Sequence, residues 1–267
     1  MHKKAAMLPE RGAFMHPVIH IFGLELPAYG IMMGAGLLLA FALFFVTRKK
    51  YSLSVSDMSS GVLYAVVGGF IGAKLLYIIV EWDSVFGSGS TFFSVLSTGF
   101  VFYGGLIGGA LMVMVYAKKT GQSIYRFADT MLPCFALAHA LGRVGCYLAG
   151  CCYGCETESA LGVVFPPGGI APSGIRLLPT QLFEAAFLTV LAFVLLIMLK
   201  KQKIMGFVTG AYFTAYPVWR FIIEFFRTDR RGNVGALSTS QFISIFIFAA
   251  GVLILVNRFK NKKEKAL

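Results

Sequence analysis

The sequence predicts an all-α, polytopic membrane protein with about seven transmembrane helices. Three observations carry that prediction. The 267 residues are 57% hydrophobic and 13% charged, with a mean hydropathy of +0.76, whereas a soluble domain carries about 25% charged residues. The apolar residues gather in runs that match the ~20 residues a helix needs to cross the hydrocarbon. The net charge of +12 sits mainly in short stretches between those runs, which is how membrane topology is written. No aromatic–basic module for nucleic acid is visible, so nucleic acid is excluded as a partner.

Residues 1–14, MHKKAAMLPERGAF, are polar and have no apolar region before Met15. They are therefore not a secretory signal; they read as a leader, or Met15 is the true start. Spans are expected near 28–47, 61–80, 100–117, 130–149, 182–199, 204–225 and 239–257, in a single domain over 15–260 with a basic tail at 261–267. One set of connections holds Arg48, Lys49 and Lys50, then Lys118, Lys119 and Arg126, then Lys200, Lys201 and Lys203, then five Lys and Arg after residue 257. That makes fourteen against seven on the opposite side. By the positive-inside rule the C-terminus is cytoplasmic and the N-terminus outside. Residues 81–99, without Lys or Arg, and the Gly- and Pro-rich 155–180 are then outer loops.

Lys74, Arg143, Arg220, Glu184 and Glu224 fall inside apolar runs. An ionisable group at that depth costs at least about 2.5–3.5 kcal/mol and marks a functional site by default. A structural ion pair is the plainer reading, but five such groups point to a shared polar cavity. In WRFIIEFFRTDR (219–230), Arg220, Glu224 and Arg227 lie at i, i+4 and i+7, one face of a continuous helix. Arg before Glu is the weaker order for a pair within a helix, so helix stability explains it poorly. Arginine forks suit phosphate. Snorkelling at the interface accounts for Arg227, Arg230 and Arg231 but not for the deeper Arg220. In LPTQLFEAAF (178–187), Pro179 and Thr180 mark a helix start. Gln181 and Glu184 lie at i and i+3, where the helix dipole favours an acid.

In STGFVFYGGLIGG (97–109), Gly104/Gly108 and Gly105/Gly109 form two small-xxx-small pairs, a device for close helix packing. Tyr103 precedes them as an interface anchor or a reacting group. Tyr29 and Gly30 stand near the outer end of the first span. The stretch HALGRVGCYLAGCCYG (139–154) combines a histidine, Arg143 and three cysteines, with Cys155 next. Three readings of C-x4-C-C-x-x-C stand side by side. A metal site would need preorganised ligands, and the spacing matches none of the usual zinc patterns. Cys152 and Cys155 have redox spacing without the usual βαβ setting. Alternatively, the cysteines pack as small apolar residues. No metal is expected.

Taken in order, Tyr29–Gly30, FYGGLIGG (102–109), GRVGCYLAGCCYG (142–154), LPTQLFE (178–184), RFIIEFFRTD (220–229) and LSTSQ (237–241) resemble the prolipoprotein diacylglyceryl transferase family over nearly the whole chain from Met15. The resemblance implies a multi-pass enzyme of the bacterial inner membrane. It would move the diacylglyceryl group of phosphatidylglycerol onto the lipobox cysteine thiol in a prolipoprotein signal peptide. A thioether would form, a glycerol phosphate would leave, and no cofactor would be needed. It further implies head-group binding by Arg143, Arg220, Gly142 and Gly154, and catalytic roles for Arg220, Glu224, Tyr29 and the Tyr103 position.

Three polar groups expected near the reacting centre depart from the family pattern, and the start of the fifth span departs as well. Tyr103 stands where the family usually has His, Cys146 where it has Asn, and Cys151 where it has Glu. Leu178, Pro179 and Thr180 replace the usual His-Pro-Ser. A tyrosine, with pKa about 10, is a poorer base than a histidine. The base is then Glu224 through water or Tyr103 beside an arginine. The alternatives are a paralogue acting on another phospholipid or thiol acceptor with a redox-active cysteine cluster, and a non-catalytic lipid-binding protein.

Overall fold

The structure, a computed structural model, describes residues 17–21, 23–86, 99–167, 170–228 and 232–264. The leader at 1–14, the alternative start at Met15, most of the 81–99 loop, Arg230, Arg231 and the end of the basic tail lie outside the described residues. The chain is a mostly helical, polytopic membrane protein. Its helices are α1 (Ala28–Thr47), α2 (Val55–Val80), α3 (Trp82–Phe86), α4 (Phe102–Lys119), α5 (Ile124–Leu148), α6 (Thr180–Lys201), α7 (Phe207–Ile223) and α8 (Thr239–Glu264). Three short antiparallel hairpins were not expected for an all-α chain: β1 (Val18–Ile21) with β2 (Leu24–Pro27), β3 (Val163–Val164) with β4 (Arg176–Leu177), and β5 (Asn233–Val234) with β6 (Leu237–Ser238).

Among the described residues, five stretches are long and apolar enough to cross a bilayer: Ala28–Tyr51, Val55–Val80, Ile124–Leu148, Thr180–Lys201 and Thr239–Lys260. The segments expected at 100–117 and 204–225 fold as α4 and α7, of 18 and 17 residues. At 1.5 Å per residue they are about 27 and 26 Å long, a little under the ~30 Å hydrocarbon core. Leu37, Leu38, Leu63, Val66, Val190 and Leu253 are among the large apolar side chains left exposed on these helices. A bilayer is the solvent that suits such faces.

The chain divides into two compact units, one spanning Phe44–Thr130 and the other taking the remainder. It passes between them within α1 and within α5. In the Phe44–Thr130 unit, α2 begins with a capping box. Ser54 Oγ accepts from the Asp57 amide at 2.9 Å, and Asp57 Oδ2 accepts from the Ser54 amide at 3.1 Å, satisfying two otherwise orphaned donors. Asp57 Oδ1 also accepts from Tyr116 at 3.2 Å and from Gln122 at 2.8 Å, tying both ends of the α4–α5 turn to α2.

The glycines of α4 meet α2 backbone to backbone. A Cβ on Gly104 would run into the Gly72 carbonyl, and one on Gly108 into the Gly68 carbonyl. Gly105 and Gly109 are looser, with Gly69 O at 3.3 Å and Ala65 O at 3.0 Å from the built Cβ positions. The 104/108 pair therefore sets the approach, against a second small-xxx-small pair, Gly68 and Gly72, on α2. Lys74 Nζ donates to the Gly99 carbonyl at 2.9 Å and stands 3.9 Å over the Phe100 ring. This buried ammonium is satisfied by partners in its own unit.

In the other unit, α6, α7 and α8 pack in sequence. Phe187 of α6 stacks on Trp219 of α7 at 4.6 Å and 3°. Gly251 lets α8 approach the α7 backbone at Phe213, 2.6 Å from where its Cβ would stand. Gly36 of α1 lies somewhat less close to α5, 3.0 Å from the Ala138 carbonyl by the same measure.

Candidate active site

Glu184 is the centre of a buried charge cluster. It lies one turn into α6 and is 1% exposed. Its Oε2 is 3.1 Å from Arg143 Nε of α5 and 3.6 Å from Arg220 Nη1 of α7. Its Oε1 accepts a hydrogen bond from Tyr216 at 3.1 Å. Arg220 Nη2 reaches Glu224 Oε2 at 2.7 Å and donates to Ser240 Oγ of α8 at 3.0 Å. His139, one turn before Arg143, meets Tyr216 edge-on with ring centres 5.4 Å apart. Three helices and the turn after α7 thus bring two cations and two acids together, α8 adds Ser240, and Tyr216, Arg220 and Glu224 repeat at four-residue steps along α7 and its end.

The charges balance, but their donors are not used up. Arg143 Nε and Arg220 Nη1 are buried beside Glu184 without an aligned hydrogen bond among the described residues. A guanidinium carries five donors, and burying charged donors unsatisfied is costly. An oxyanion entering between α5 and α7 would satisfy them. The cluster is thus an ion-pair network whose donors are not all used.

The helical reading of 219–230 needs correction. α7 ends at Ile223, Glu224–Phe226 is a turn of 3-10 helix, and Arg227 is extended. Arg227 therefore does not share a helix face with Arg220. Its backbone instead bridges to Gly154. Arg220 and Glu224 still pair, because Glu224, the residue that caps α7, keeps helical backbone angles (φ −63°, ψ −27°).

Gly154 is the tightest point of this unit near the site. Its amide donates to the Leu178 carbonyl at 2.9 Å, its carbonyl accepts from Thr228 Oγ1 at 3.3 Å, and the next amide, Cys155, donates to Phe226 O at 2.7 Å. A Cβ there would lie 2.7 Å from Phe226 O and 2.9 Å from Leu178 Cβ. Gly145 allows Tyr29 of α1 to pass at 3.3 Å from the built Cβ, whereas Gly142 meets only Met33 Cε at 3.6 Å. Gly142 is therefore not a close-approach position, unlike the other two. Gly154→Ala should destabilise the protein by about 1–3 kcal/mol, as overpacking does, and Gly142→Ala should not. Thermal unfolding of both variants in detergent checks this; equal melting temperatures would contradict the steric account.

None of the five cysteines is in a disulfide. Cys146, Cys151 and Cys152 gather with their sulfurs within 4.8 Å of one another, and Cys155 lies outside that group. Hydrogen bonding with the Cys146 and Cys152 thiols, with burial behind it, pushes the Cys151 thiol well above its ordinary pKa. Gln181 Nε2 donates to Cys151 O at 2.6 Å and Thr180 Oγ1 to Cys152 O at 2.8 Å, so the start of α6 fixes the cysteine loop. Tyr103, at the start of α4, belongs to the Phe44–Thr130 unit, as does Lys74. Sequence reasoning singled out Glu184 and both arginines but missed Tyr216 and Ser240. The four-residue step from Arg220 back to Tyr216 was the available signal.

Fold and site define a polytopic membrane protein with a buried arginine pair suited to an anionic group. The prolipoprotein diacylglyceryl transferase family model matches residues 17–257. A phosphatidylglycerol–prolipoprotein diacylglyceryl transferase 2 of Clostridium perfringens (strain 13 / Type A) is 42% identical over 91% of this chain and 96% of its own length. A phosphatidylglycerol–prolipoprotein diacylglyceryl transferase of Clostridium tetani (strain Massachusetts / E88) is 40% identical over 93% and 100%, and one of Clostridioides difficile (strain 630) 31% identical over 92% and 95%. The chain belongs to the prolipoprotein diacylglyceryl transferase family, and it is a transferase.

Proposed function

We propose that this protein transfers the diacylglyceryl group of phosphatidylglycerol to the lipobox cysteine thiol of prolipoproteins in the bacterial inner membrane. The observation that carries the reading is the pair of buried guanidiniums around Glu184 with donors still open. In this reaction the carbon–oxygen bond between the diacylglyceryl group and the phosphate breaks as the carbon–sulfur bond forms. The phosphate takes the electron pair and leaves as glycerol phosphate. Charge grows on phosphate oxygens in the transition state, where fixed guanidinium donors are most effective. Arg143 and Arg220 hold the head group, and Glu224, salt-bridged to Arg220, takes the thiol proton through water. Tyr29, exposed at the outer end of α1, borders the entry. In this reading seven helices span the bilayer, with the N-terminus outside, the C-terminus cytoplasmic and the site toward the outer leaflet.

Expression in a strain depleted of its own transferase tests this directly. The wild-type chain should restore thioether-linked lipid on prolipoprotein, and Arg143→Ala should not, at equal membrane levels. Stable insertion without any lipid transfer would exclude the assignment.

A further inference from the structure

We infer that Cys146, Cys151 and Cys152 form a trithiolate site for one soft cation of the zinc class. The proposal rests on geometry that the sequence spacing conceals. A zinc ion bonds sulfur at about 2.3 Å, which puts tetrahedral thiolates about 3.8 Å apart. The three sulfurs already lie within 4.8 Å of one another, so closing on a cation takes about 1 Å at most. Packing as small apolar residues explains the buried Cys146. It does not explain why two half-buried neighbours turn their thiols toward it.

The backbone that presents the thiols is fixed from three directions. Cys146 sits in the last turn of α5, and the Cys151 amide donates to the Cys146 carbonyl at 3.0 Å. The carbonyls of Cys151 and Cys152 are held by Gln181 and Thr180, each 1% exposed. Neighbouring side chains in extended chain point to opposite sides. Here Cys152 has φ +66°, the left-handed region that a non-glycine residue rarely adopts, and that turn accompanies the gathering of adjacent thiols on one side. Metal sites depend on such preorganisation.

Charge agrees with the proposal. Three thiolates and a divalent cation carry a net charge of −1, and binding releases the three thiol protons. Arg143 lies one turn before Cys146 on α5 and within electrostatic range of Cys146 and Cys152, which offsets that charge. Three protein ligands leave a fourth position for water, and sulfur donors select soft metals over magnesium or calcium. The spacing escapes the usual zinc patterns because one ligand comes from a helix end and the next two from a left-handed turn.

The test is a titration of the reduced, metal-free full-length protein in detergent with Co2+. A thiolate-to-cobalt charge-transfer band should appear, saturate at one Co2+ per chain and vanish on adding Zn2+. Cys134→Ser and Cys155→Ser should keep the band. Cys146→Ser, Cys151→Ser and Cys152→Ser should each weaken binding at least tenfold, with the monodisperse elution of the wild type. Absence of the band in the wild-type protein would overturn the proposal whatever the variants do. So would a band that survives all three substitutions. Lipid transfer is not the readout, so the outcome is independent of the proposed reaction.

Discussion

Arg220→Lys should lower the proposed transfer rate by about 10²–10³-fold, the range for loss of one preorganised oxyanion donor, while the protein stays folded. Arg220 meets three partners at once: Glu224 at 2.7 Å, Ser240 at 3.0 Å and Glu184 at 3.6 Å. A planar guanidinium serves all three and keeps an edge for phosphate, whereas an ammonium is a single point with three rotatable donors. Lysine keeps the charge and loses the fork, so the loss falls on kcat more than on the affinity for lipid. The measurement is kcat and KM for phosphatidylglycerol in mixed micelles, with thermal unfolding alongside. A kcat within tenfold of wild type would show that the fork is not what the transition state uses.

Glu184→Ala should destabilise the protein by about 3–5 kcal/mol, the usual result of removing one partner from a buried ion pair. Two guanidiniums would share the site without their common carboxylate, and Tyr216 would lose its acceptor. For a chain of this size the melting temperature should fall by on the order of 10 °C. Glu184→Gln should fall between the two, because it keeps an acceptor for Tyr216 and loses the charge. Phosphatidylglycerol should restore more of the lost stability than a zwitterionic lipid does, because an anion can stand in for the carboxylate. Unfolding followed in detergent with each lipid checks this, and an Ala variant as stable as wild type would refute the account of Glu184 as the hub.

Much of this was legible in the sequence. Apolar run length and the scarcity of charge gave the helices, and the expense of an ion in hydrocarbon singled out Arg143, Glu184, Arg220 and Glu224, which the structure gathers. The Gly104/Gly108 spacing announced a close crossing, and Gly68 and Gly72 could have been read in the same way. Other features were not local. Periodicity assumes that a helix continues, so it carried Arg227 onto a face that ends at Ile223. Two-residue strands such as Val163–Val164 have no period to detect. Lys74 resembled the buried arginines by composition alone, yet its partners are Gly99 and Phe100. The cysteine spacing hid a cluster because a left-handed residue at 152 changes which side chains can meet.

The crossing at Gly154 also has an entropic side. The connection from α5 to α6 runs from residue 149 to 179, long enough for its closure to be unfavourable if it were free. The paired backbone at Gly154 and Leu178 closes most of it into a separate ring, pinned internally by β3 with β4 and by Phe165 packed with Ala171 and Leu177. Closure entropy grows only with the logarithm of length, about 0.6 kcal/mol per doubling. Residues added to or removed from that ring are therefore felt at its neck and hardly beyond it. The excursion can vary in size and composition while the charged cluster keeps its geometry.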